Sequence, residues 1–261
     1  MNTFLKYSIN FLVGTVWLSS TVFAFFIIAN YAFALIDTDM ERWNVILPNL
    51  YTPDDHKIAT FGIGLHFLTG AILLILGCIQ FINKIRLRYP KFHRITGRIY
   101  IIASFISAIG GLLFILLKGT EGGLLMDIAF GLYGVLMFIC AFFTIKFAVT
   151  RSIDKHNAWA IRLFALAIGS WIYRMNYGFW FVLTDGIGHS EDFSGVFDIL
   201  MDFLFYIPNL IIAEIIIRKS KNFKVQKWVK IVAIVFVNLA TLIIAVGSYY
   251  IYYANNKIIN G

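Results

Sequence analysis

Three stretches of the chain place chemically able side chains inside apolar sequence. The first is GIGLHFLTGAILLILGCIQ, residues 62–80. At 3.6 residues per turn, Gly62, His66, Gly70, Leu73, Gly77 and Gln80 fall on one stripe. A histidine within an apolar run of that length is costly and marks a function or an interhelical link. His66 is thus either hydrogen-bonded to a neighbouring helix or a ligand or proton-transfer group. Gly62 and Gly70, one turn to either side, would leave room beside the imidazole for a flat group.

The second stretch is HRITGRIY, residues 93–100. His93, Arg94, Arg98 and Tyr100 either snorkel to anionic lipid headgroups or hold an anion such as a propionate, a phosphate or a quinone carbonyl. The third is HNAWAIRLFALAIGSWIYRMNYG, residues 156–178. Read as one helix, His156, Trp159, Ser170, Arg174 and Tyr177 share a face, with Arg162 and Tyr173 at its edge. An arginine at the depth of Arg174 costs at least about 2.5 kcal/mol unless paired. The following apolar block offers acids, so Arg174 is expected to pair with Asp202 or Asp198, and Arg162 with Glu214. Such pairs either staple two helices or line a polar cavity. His93 and His156 are expected to face each other across one mouth of the bundle. Two histidines alone are weak evidence for a metal, and no carboxylate or thiolate in those links other than Asp154 could complete a set. His56 and His189 fall in polar loops and are expected to be solvated.

The elements that position these residues follow from composition. The chain has 261 residues, 60% of them apolar and 17% aromatic, with mean hydropathy +0.80. Soluble domains are nearer 45–50% apolar. The surplus lies in long blocks without strand-like alternation, which predicts an all-α polytopic membrane bundle. Seven spans are expected, at residues 10–35, 58–82, 97–117, 124–149, 158–184, 198–217 and 231–254. They form one transmembrane domain over 1–261, because no polar stretch is long enough for a soluble one. Ala32-Phe33-Ala34 imitates a peptidase site, but the apolar run before it is too long for a signal-peptide core, so the first span is read as retained. Pro208 predicts a kink in the sixth span.

Charge orients the bundle. The formal net charge is +8, and the basic residues sit in links between apolar blocks rather than on a polar face, which argues against nucleic acid. Lys84, Arg86, Arg88, Lys91, Arg94 and Arg98 follow the second span; Arg218, Lys219, Lys221, Lys224, Lys227 and Lys230 follow the sixth. Asp37, Asp39, Glu41, Asp54 and Asp55 precede the second, and Asp185, Glu191 and Asp192 precede the sixth. By the positive-inside rule the N-terminus is cytoplasmic and the C-terminus outside, with anionic lipid against the basic links of a bacterial inner membrane. Trp43 and Tyr51 suggest that the first acidic loop lies on the interface. Cys78 and Cys140 fall within apolar blocks and read as small core residues.

Together, HFLTGAILLILGCIQ, IRLRYPKFHRITGRIY and KHNAWAIRLFALAIGSWIYR resemble the predicted bacterial membrane proteins catalogued as domain of unknown function 2306, over roughly residues 58–180. The matching positions are His66, Gly70, Gln80, Arg88, Pro90, His93, Arg94, Gly97, Arg98, Tyr100, His156, Trp159, Arg162 and Arg174. The resemblance implies a multi-span membrane protein and brings no established activity.

Two functions stay open. A redox or cofactor-binding protein would use His66 and the arginines to hold a b-type haem or a quinone, and this is slightly favoured, although a bis-histidine haem needs a second histidine at the depth of His66. A permease for a small polar or anionic solute would use the intramembrane charges and the prolyl kink. An accessory subunit is a third possibility. No nucleophilic triad, phosphate loop or hydrolytic carboxylate pair can be assembled.

Overall fold

The computed structural model describes residues 3–47, 49–52, 56–218 and 227–260, and among them there are helices and no strand. In order they are α1 (Thr3–Ile27), a π-helical turn (Ile28–Ala32), α2 (Phe33–Ile36), α3 (Arg42–Ile46), α4 (Lys57–Gln80), α5 (Asn83–Arg88), α6 (Pro90–Leu117), α7 (Gly123–Val149), α8 (Ile153–Ala167), α9 (Gly169–Thr184), α10 (Val196–Leu204), α11 (Ile207–Arg218) and α12 (Lys227–Asn260). Asp54 and Asp55 of the acidic loop and Lys219, Lys221 and Lys224 of the basic one lie outside the described residues.

Among the described residues, six helical stretches are long and apolar enough to cross a membrane: Thr3–Ile36, Lys57–Gln80, Pro90–Leu117, Gly123–Val149, Val196–Arg218 and Trp228–Tyr253. The expected fifth span is not among them: it is two helices, α8 and α9, parted at Ile168, and Arg162, Ser170, Arg174 and Asn176 make it less apolar than the other stretches. Gly169, a weak helix former, opens the second. The sixth is parted too, at Phe205–Tyr206. Pro208 there is no mid-helix kink. It stands in the first turn of α11, where its missing N–H removes no intrahelical bond. The third span begins earlier than expected, at Pro90, so that HRITGRIY is wholly helical.

Residues facing outward from these helices are large and apolar, Phe61, Ile102, Leu116, Ile128, Phe142 and Ile215 among them. Lipid tails are as apolar as leucine, so association rests on close packing and interhelical hydrogen bonds. Antiparallel α4 and α6 show both. Gly62 lies against Gly110, where an added Cβ would come 2.8 Å from the Gly110 carbonyl oxygen. Lower down, Gln80 donates to the Thr96 hydroxyl at 2.8 Å. Helices α1 and α12 run parallel, joined by Ser19 and Ser248 at 2.6 Å and by Asn238 on Ser8 at 3.2 Å. Helix α9 also runs parallel to α12, with Gly178 on Gly247 and Phe181 stacked on Tyr250.

Trp43 of the first acidic loop folds into the bundle, while Asp37, Asp39 and Glu41 stay exposed. Trp43 is 1% exposed, donates to the Tyr31 carbonyl at 3.2 Å and lies over Gly64. It belongs to a core of α1, α4, α9 and α12 that includes Ala24, Tyr31, Leu74 and Trp171. A second core joins α6 to α11, with Tyr133, Met137, Leu166, Tyr173 and Phe205. The two interrupted helices meet in this second core at their interruptions. A Cβ on Gly169 would lie 3.2 Å from the Phe205 ring, and Tyr133 of α7 spans the gap by donating to the Leu166 carbonyl at 2.9 Å.

Candidate functional site

The polar side chains form three groups along the bundle. The first surrounds His66. Helix α6 passes so close at Gly110 that the Ser107 carbonyl reaches the imidazole, 2.9 Å from Nδ1, with the Ser107 hydroxyl at 3.1 Å. Gly111 supports the ring from below, where a Cβ would come 3.0 Å from Nδ1. The room expected at Gly62 is therefore taken by the α6 backbone, whereas Gly70 has nothing within 4 Å of where a Cβ would stand. The Nε2 atom makes no hydrogen bond with the described residues. The Arg174 guanidinium lies within electrostatic range of both His66 and Tyr31.

Arg174 corrects the expected pairing. It makes no ion pair with Asp202, Asp198 or any other described acid. Its guanidinium lies over the Tyr173 ring at 5.6 Å. The reason is local: Tyr173 and Tyr177, one turn apart, present their hydroxyls to the acids of α10, which leaves Arg174, next along the helix, on the side of α4 and Tyr31. The break at Ile168 also parts His156 and Trp159 from Arg174 and Tyr177, so the single face expected over 156–178 does not exist.

The second group lies between α9 and α10. Asp198 is wholly buried. Its Oδ1 accepts from the Tyr177 hydroxyl at 2.6 Å and lies 2.8 Å from His189 Nδ1; its Oδ2 accepts from the backbone N–H of Ser190 at 3.0 Å and of Gly195 at 3.1 Å. Tyr173 donates to the Tyr177 hydroxyl at 3.0 Å. His189, expected to be solvated, is instead turned inward by the positive-φ glycines at 186 and 188 and sits among Tyr177, Phe181 and Phe193. One turn below Asp198, Asp202 is 1% exposed and its Oδ1 has no partner; Tyr206, one turn further and equally buried, has an unpartnered hydroxyl. At the rim, Asp192 accepts from Ser194, and hydrogen bonds from Ser190 and Ser194 hold its carboxyl below the usual carboxylate range.

The third group is at the opposite end. Arg162 binds Glu214 at 2.5 Å, Glu214 also accepts from Arg218 at 3.0 Å, and Arg162 lies over Trp159 at 4.6 Å. His156 Nδ1 is 2.9 Å from the Thr144 carbonyl, and His93 lies within electrostatic range of it with a buried, unpartnered Nδ1. Arg94 and Arg98 are exposed. They project from the rim of the bundle and take no part in an interior site.

These positions are those by which the sequence can be placed. The profile of a family described as predicted membrane protein (DUF2306) matches residues 63–217. The chain belongs to that family. No curated protein and no solved structure matches it. The matched segment of this DUF2306 protein holds all three polar groups except Arg218. It leaves out α1 and α12, the parallel pair that covers α9.

Sequence reasoning thus placed His66, Arg174, Asp198 and Asp202 in the interior and missed Ser107, Tyr173, His189 and Tyr206 as their companions. The period-four run Asp198, Asp202, Tyr206 beside the period-four pair Tyr173, Tyr177 was the available signal.

Proposed function

We propose that this protein is a seven-pass protein of the bacterial inner membrane, a single domain with its N-terminus in the cytoplasm, that binds a small anion within the bundle and conducts it across. The parallel course of α1, α9 and α12 supports seven passes. Only an odd number of intervening crossings keeps each pair parallel, α4, α6 and α7 between α1 and α9 and α10–α11 between α9 and α12, so α8 and α9 together count as one.

The observation that carries the anion is Arg174. A guanidinium stays charged at any accessible pH, and within a bundle it is retained where it meets an opposite charge or a watered cavity. Here no carboxylate is offered, although two stand on the neighbouring helix. His66 and Tyr31 lie within electrostatic range of it. The break-to-break contact of α8–α9 with α10–α11 supports conduction, since interrupted helices near mid-membrane are the usual frame of a permease. In proteoliposomes of the full chain, a jump in external anion concentration, tested over inorganic and small organic anions, should give a transient current. Arg174→Gln should abolish it and Arg174→Lys should retain part. A current unchanged in Arg174→Gln would refute the reading.

A cofactor remains a second reading because His66 keeps one ring nitrogen free. It fits a quinone carbonyl better than a bis-histidine haem. His189 is held on Asp198, while His93 and His156 occupy the far end and His56 precedes α4, so no described histidine supplies the other axial bond.

A further inference from the structure

Between the rim and the bundle interior, four side chains form an unbroken series. His189, with 21% of its side chain exposed, touches Asp198 Oδ1; Tyr177 donates to the same oxygen; Tyr173 donates to Tyr177. The Tyr173 hydroxyl also reaches toward the Asp202 carboxyl, where the series ends on an oxygen without a partner. Asp198 is fully engaged by four contacts. Asp202 is not, and it has no cation beside it.

The geometry points to a proton path in this protein, running from His189 through Asp198, Tyr177 and Tyr173 to Asp202, with Asp202 as the carboxyl that takes up and releases the proton. The chemistry of the surroundings dictates this. A carboxylate buried without a counter-charge, one turn from a second carboxylate, is far more costly than a neutral carboxylic acid. The ionisable groups that act on it are Asp198 on its own helix and Tyr173 of α9, and neither is cationic. Among the described residues no three His, Cys, Asp or Glu side chains gather as a metal-ion site would require.

The hydroxyls already point the way a proton would leave. The Asp202 O–H bond breaks and its proton passes to the Tyr173 oxygen; Tyr173 gives its own to Tyr177; Tyr177 gives its own to Asp198 Oδ1, which passes one to His189 and thence to water. One O–H bond is lost at Asp202 and one proton reaches water; each group between keeps its number of protons, with the two hydroxyls now turned toward Asp202 and His189 carrying its proton on Nδ1 instead of Nε2. Uptake is the reverse from that state, and a second release needs the two hydroxyls to rotate and the His189 tautomer to be restored. On the reading of the previous subsection, the site would supply the coupling ion for anion movement.

Infrared spectroscopy of the full chain in lipid tests the path without any anion. A carboxylic-acid carbonyl band should be present near neutral pH, absent in Asp202→Asn and unchanged by replacing choline chloride with sodium chloride. On transfer to heavy water its isotope shift should be at least tenfold slower in Tyr177→Phe than in the unaltered chain, with the band's intensity kept. His189→Gln, at the rim, should slow it similarly and serves where the interior variants do not fold. A band that persists in Asp202→Asn, or vanishes with sodium, would overturn the assignment of Asp202. Exchange as fast in His189→Gln and Tyr177→Phe as in the unaltered chain would overturn the path. None of these results depends on whether an anion is carried, so anion currents can fail while the path stands, and the reverse.

Discussion

Asp198 offers the sharpest arithmetic in the structure. Its two oxygens take four contacts of 3.1 Å or less, two on each: Tyr177 and His189 at Oδ1, the Ser190 and Gly195 N–H groups at Oδ2. Asn at this position has the same shape but one accepting oxygen and one donating NH2. Whichever way the amide turns, two of the four contacts lose their acceptor. A buried donor left unsatisfied costs about 1–3 kcal/mol, so Asp198→Asn should destabilise the fold by about 2–6 kcal/mol. His189→Ala removes one hydrogen bond from a side chain that is 21% exposed, and loss of that bond should cost about 0.5–1.5 kcal/mol. The assay is reversible unfolding of the full chain in mixed micelles of rising SDS content, with exposed Glu191→Gln as the control that should not move. If Asp198→Asn unfolds with Glu191→Gln, the carboxylate does not organise the 185–195 loop, and the hydrogen-bonded series described above has no anchor.

Three further outcomes follow from the packing. Gly62→Val should force α4 and α6 apart, because even the first carbon would lie 2.8 Å from the Gly110 carbonyl oxygen; a loss of about 1–3 kcal/mol in the same micelles, together with a changed infrared or NMR signature of the His66 ring as Ser107 withdraws, checks it. Removing Glu214 with Gln should cost more in the native chain than in Arg162→Met, and a double-mutant cycle should return a coupling of about 1 kcal/mol, since the pair is only partly shielded at 22% and 33% side-chain exposure. For Asp192, whose carboxyl is held low by Ser190 and Ser194, the stabilisation is present above the unfolded value near about 3.9 and is lost as pH falls through the lower folded one; Asp192→Ala should therefore flatten only the acid end of a stability–pH profile, below about pH 4.

The apolar blocks were legible because their length and composition need no partner to be read. A run of some 20 residues without charge has few fates besides a membrane helix, and all six stretches of sufficient length overlap the blocks that hydropathy placed, although those from Thr3 and Pro90 begin earlier than expected. The interior placement of His66 and of the acids of α10 was legible for the same reason. What could not be read was the direction of each side chain around its axis once a helix was interrupted. The break at Ile168 is a small local event, a glycine seated on the Phe205 ring, but it turns α9 relative to α8 and so sends Arg174 toward His66 and Tyr31 rather than toward Asp202. The inward turn of His189 was likewise hidden, because it depends on two positive-φ glycines and on a carboxylate contributed by the next helix.

The sequence by itself determined that this chain is a helical membrane protein of the DUF2306 family, and which residues its interior must accommodate, since burial in lipid follows from composition alone. Tertiary structure decided which of those residues meet. It left Arg174 without an acid, gave Asp198 four partners and left Asp202 short of one. Partnership depends on distances of a few ångströms between helices far apart in the chain, and no periodicity within a single helix carries that information.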